Sequence, residues 1–90
     1  MNTEMSSEII AGSLVGLKPT DKDPDVNERL RRWEHSYGRG PFKVRHVTDE
    51  HVSLEWIKDP LNRQKSGELV HFGSLNDSHI SIRYVEPWVT

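Results

Sequence analysis

"WEHSYGRGPFKV", residues 33–44, decides how the chain is read, because the spacing of its apolar residues changes inside it. Upstream, Val26, Leu30, Trp33 and Tyr37 recur at i, i+4, i+7 and i+11, which puts them in one stripe along a helix. Downstream, Phe42 and Val44 alternate with Lys43 and Arg45, the period of a strand with one face turned to the core. Gly38 falls where a helix end favours a residue that accepts positive φ. Gly40 and Pro41 then turn the chain into the strand. The stretch is a joint between a helix and a strand. Its outward side chains, Arg39, Lys43 and Arg45, with Arg32 one turn back, are not accounted for by folding.

Working towards the N-terminus, Asp23 is a good N-cap, and Pro24 suits the first helical position, where its missing N–H leaves no bond unmade. The expected helix therefore covers about 24–37. Glu28 stands one turn before Arg31 and Arg32, a mildly stabilising surface arrangement. Before it, "GSLVGLKP" reads as a first strand closed by Pro19. Gly16 inside it points to a bulge or to another backbone passing close by. Residues 1–8, "MNTEMSSE", are polar and unpatterned and are expected to be a disordered tail ahead of a single small domain over 9–90.

Towards the C-terminus, "PFKVRHV" and "HVSLEWI" read as two strands joined by the polar turn "TDEH". "KDPLNRQKSG" reads as a loop, rich in charge and in helix and strand breakers. "ELVHFGSL" and "HISIRYVEPW" read as a fourth and a fifth strand around the turn "NDS", with Ile80, Ile82 and Tyr84 on one face. The expected fold is mainly β with one helix: a small five-stranded barrel with the helix inserted after the first strand. Closure into a barrel would protect edges that so small a sheet otherwise leaves open.

This order of strand, long excursion, strand, tight turn, strand, loop, strand, short connection and strand resembles the Src-homology-3-like small barrel, an architecture shared with Tudor and KOW modules. The resemblance rests on "GSLVGLKP" opening the first strand, "GPFKV" beginning the second and "ISIRYVEPW" closing the chain. It is architectural. The chain has no acidic excursion loop with an "ALYDY"-like segment and no glycine-centred KOW segment, so no family binding residues are carried over.

Composition narrows the functional classes. A chain of 90 residues makes one small domain, and it has no cysteine for a disulfide or a thiolate metal site. The formal charge is −2, but Arg29, Arg31, Arg32, Arg39, Lys43 and Arg45 against Glu28 and Glu34 give residues 27–46 a charge of +4 and leave −6 for the remainder. Separated signs favour directional association. The apolar run "IIAGSLVGL" has nine residues and no basic leader, too short for a secretory signal or a membrane span. A cytoplasmic protein without a membrane anchor is expected.

The five histidines, His35, His46, His51, His71 and His79, form no close pair at zinc-ligand spacing, and only His71 and His79 stand where neighbouring strands can bring them together. No nucleophile elbow or phosphate loop is present, so the chain is expected not to be an enzyme and to need no cofactor or metal. The aromatic residues suggest a cage for a methylated cation, but a domain this small needs those rings to fill its core. Trp88 is the ring expected to stay partly exposed and available for a contact. The expectation for function is a non-catalytic interaction module that docks on a protein partner, as a monomer or weak homodimer, through a basic face of Arg29, Arg32, Arg39, Lys43 and Arg45. The alternative is nucleic-acid or ribosome binding through the same face.

Overall fold

A computed structural model of the chain describes residues 9–73 and 78–89. The tail expected over residues 1–8 lies outside the described residues, as do residues 74–77 of the expected fourth strand and turn. Strand β1 (Leu14–Leu17) is followed by helix α1 (Pro24–Tyr37), then β2 (Phe42–Val47) and β3 (His51–Trp56), then the short β4 (Ile80–Ser81), a 3-10 turn (Ile82–Tyr84) and β5 (Val85–Pro87). The five strands form one antiparallel sheet in the order β4-β3-β2-β1-β5.

The helix starts and stops for the reasons its sequence carries. The Asp23 carboxylate accepts from the Asp25 amide at 2.9 Å, Pro24 opens the first turn, and Gly38 takes φ of 79° while its N–H donates to the Glu34 carbonyl at 2.8 Å. Val26 and Leu30 are buried, and Trp33 and Tyr37 lie half-buried against the same core. From the sheet side, Val15, Leu17, Phe42, Val44, Val52, Leu54 and Trp56 meet them. The rings pack tilted around Trp33 and edge to face at Tyr37–Phe72 and Phe42–Trp56. Trp33 stands 4.8 Å from Phe72 and 4.9 Å from Tyr84, Tyr37 stands 4.9 Å from Phe72, and Phe42 stands 5.7 Å from Trp56.

A β-bulge interrupts the pairing of β2 with β3. Val44 stands opposite Leu54, but the next pair is His46 with Ser53, so Arg45 is the extra residue. The insertion returns Val47 to the core side opposite Val52 and leaves Arg45 and His46 both exposed. Gly16 answers the expectation of a close approach. A Cβ there would lie 2.6 Å from Cε3 of Trp88 and 2.7 Å from the Arg39 carbonyl oxygen, which itself accepts from the Leu17 amide.

Three expectations are corrected. The segment "ELVHFGSL" is not a regular strand over its described residues. It holds isolated bridge positions, at Leu69, which faces Glu55, and at Phe72, with Trp56 N–H donating to the Glu68 carbonyl and Val70 N–H donating to the Leu54 carbonyl, each at 2.8 Å. It shares the outer edge of β3 with β4, which pairs at the other end through Val52 with Ile80 and His51 with Ser81. The expected final strand is instead broken by the 3-10 turn. There the Ser81 hydroxyl accepts from the Arg83 amide, Ile82 N–H donates to Glu50, and the chain swings from the β3 edge to the β1 edge. The sheet is consequently open, with β4 and β5 as its two edges, and the barrel closure expected from sequence is not formed among the described residues.

Candidate functional site

The expected basic face divides. Lys43 and Arg45 alternate with buried Phe42 and Val44, so they project from the side of the sheet away from α1. Arg45 pairs there with Glu55 on β3 at 3.0 Å. Arg39 reaches Glu86 on β5 at 3.7 Å and donates to the Leu17 carbonyl at 3.4 Å. Lys43 has no acidic partner among the described residues. Arg29 and Arg32 stand on α1, on the other side of the core. Arg32 is exposed, and Arg29 donates to the Tyr84 hydroxyl at 2.9 Å. Exposed pairs of this kind stabilise little, but each glutamate offsets the charge that its arginine, Arg39 or Arg45, would offer a phosphate. Trp88 is half-buried, with its ring over Gly16 and its amide donating to Leu14.

The loop after β3 holds a feature the sequence reading passed over. Asp59 is buried, and its carboxylate accepts from the amides of Leu61, Arg63 and Gln64, each at 3.0 Å. Arg63 closes the ring as a bidentate partner, Nε to Oδ2 at 3.1 Å and Nη2 to Oδ1 at 3.2 Å. Burial pushes the Asp59 carboxyl up, but the Arg63 hydrogen bonds and the Leu61 and Arg63 amides outweigh it and hold the group below the ordinary carboxylate range. Asn62 takes φ of 57° to turn the chain within this knot. The signal available in the sequence was Asp-Pro as a turn opener with an arginine four residues after the aspartate.

Arg63 also fastens the loop to the helix. Its Nη2 donates to the Ser36 carbonyl at 2.8 Å, which satisfies a carbonyl of the last turn and places positive charge at the negative end of the helix dipole. Its guanidinium carbon lies 5.9 Å from the Tyr37 ring centre and 6.0 Å from that of Trp56. The position that a methylated cation would take over these two rings is therefore filled by the chain's own arginine.

Two grooves meet at Tyr37. One, of about 430 Å³, is lined by Tyr37, Trp56, Arg63, Gln64, Leu69 and His71. The other, of about 480 Å³, runs between the Gly38–Pro41 turn and the start of the Asp59 loop, past Phe42, Ile57, Lys58 and Pro60. Ile57 is 38% exposed and Leu61, next to Pro60, is 63% exposed. The described residues lining both grooves include Arg63 and Lys58 and no carboxylate. Among the described residues no group of three or more histidine and acidic side chains is gathered to hold a metal ion, and no helix is long and apolar enough to cross a membrane. No protein-family model, curated protein or solved structure matches the chain.

Proposed function

We propose that the chain is a non-catalytic interaction module, an opened form of the Src-homology-3-like small barrel with a helix inserted after its first strand, that docks on a protein partner. The observation that carries this reading is the pair of grooves meeting at Tyr37. They join the Tyr37 ring, the exposed apolar side chain of Ile57 and that of Leu61 beside the rim residue Pro60, and the positive charge of Lys58, which has no acidic partner among the described residues. Such a surface suits an extended segment of the partner that carries apolar side chains among acidic ones, with the apolar groups beside Ile57 and the open edge of Tyr37 and the carboxylates beside Lys58. The Asp59–Arg63 knot fastens the groove wall to the end of the helix, and a wall tied in this way has less freedom to lose on binding.

The alternative, nucleic acid or the ribosome on the basic face, has less support. The five cations expected to form that face stand on two sides of the core, and Arg39 and Arg45 face Glu86 and Glu55. An array of acidic peptides bearing leucine and tryptophan separates the two readings. Leu61→Asp should weaken the best binders by about tenfold or more, the scale of losing a buried apolar anchor. Arg45→Glu should leave them unchanged. Loss of binding in Arg45→Glu with Leu61→Asp neutral would overturn the groove assignment.

A further inference from the structure

A further cavity, of about 280 Å³, lies between α1, the start of β3 and the 3-10 turn and shares no lining residue with the Tyr37 grooves. Its walls carry Arg29, His51, His79, Ser81 and Tyr84, together with the Trp33 ring, and no carboxylate among the described residues. We propose that this pocket binds the phosphoryl group of a small phosphomonoester.

The argument begins with Tyr84. The residue is 8% exposed, and its hydroxyl accepts from Arg29 Nη1 at 2.9 Å, while no acceptor for its own O–H stands among the described residues. A tyrosine so largely buried usually finds an acceptor for its hydroxyl, and the cavity it lines is where a ligand oxygen can supply one. Arg29 is oriented by that bond and by its position 6.0 Å from the Tyr84 ring centre. Unlike Arg31, which pairs with Glu28, it has no acidic partner among the described residues. Its planar fork retains donors for an oxyanion.

The other polar groups converge on the same space. Ser81 stands opposite His51 in the β3–β4 pairing, and both line the cavity with His79. A carboxylate has two oxygens for such a set, whereas a phosphoryl group has three terminal oxygens and can engage the Arg29 guanidinium, the Tyr84 hydroxyl and the His51 imidazole together. The cavity is too small for a large ligand and has an apolar wall in Trp33 and Ile80. That wall suits a short organic body behind the phosphoryl group.

The test is a titration of the isotope-labelled full chain with inorganic phosphate and, separately, with phenyl phosphate, up to ~10 mM, the range for weak anion sites. Shifts confined to Arg29, His51, His79 and Tyr84, with phenyl phosphate binding more tightly than phosphate, are expected. Tyr84→Phe keeps the ring and removes only the hydroxyl, and Arg29→Gln removes the charge together with the guanidinium fork. Each should weaken binding by about tenfold or more, the scale of one hydrogen bond to a charged group, while the thermal melt stays cooperative. Absence of localised shifts, or binding that survives in both variants, would overturn the site. Equal or weaker binding of phenyl phosphate would overturn the phosphomonoester assignment.

Discussion

Asp59 and Arg63 hold together a loop that makes few regular hydrogen bonds of its own, and their charge gives that loop an acid sensitivity. Because the folded carboxyl sits below its ordinary value, its contribution is fully present above the unfolded value of about 3.9 and is lost as pH falls through the folded one. Asp59→Asn should therefore melt below the wild type at neutral pH, and the gap should close as the pH is lowered past that window. A gap that stays constant in thermal melts from neutral pH to strong acid would show that the carboxylate is not what holds the loop. Gly16 is constrained by space. Alanine there would press its methyl into the Arg39 carbonyl and the Trp88 ring and should cost about 1–3 kcal/mol, as overpacking does, by chemical denaturation. An unchanged midpoint would mean that Trp88 does not rest on Gly16.

At the scale of elements, α1 was legible because each of its signals is local. Asp23, Pro24, the Val26–Leu30–Trp33–Tyr37 stripe and Gly38 all lie within one stretch of chain and act on their own neighbours. β2 and β3 were legible for the same reason, since alternation and a short turn are read within a hairpin. The C-terminal segment was not. Ile80, Ile82 and Tyr84 alternate as a strand would, yet Ser81 caps a 3-10 turn and the pairing partner changes from β3 to β1, choices made by distant residues. The basic cluster misled for a related reason: contiguity in sequence placed Arg29, Arg32, Lys43 and Arg45 together, whereas the core separates helix from outer sheet face. Trp33 tests the packing of α1. Its ring touches Phe72 and Tyr84 while only half-buried, so Trp33→Ala should cost about 3 kcal/mol, the lower end for large aromatic truncations. A loss under about 1 kcal/mol would mean that the helix does not depend on that contact.

For the whole molecule, an open five-stranded sheet covers one side of its core with α1 and joins helix to sheet again through Arg63. The grooves at Tyr37 lie along this second joint, where the Asp59 loop, the Gly38–Pro41 turn and the aromatic core reach the surface together. The most direct test is an amide chemical-shift map of the labelled full chain with the tightest acidic peptide from the array, repeated at low and high salt. Perturbations gathered on Tyr37, Trp56, Ile57, Leu61 and Leu69, surviving the added salt because the contact is largely apolar, are expected. Perturbations centred on Arg32, Lys43 and Arg45 that vanish with salt would contradict docking at the Tyr37 grooves.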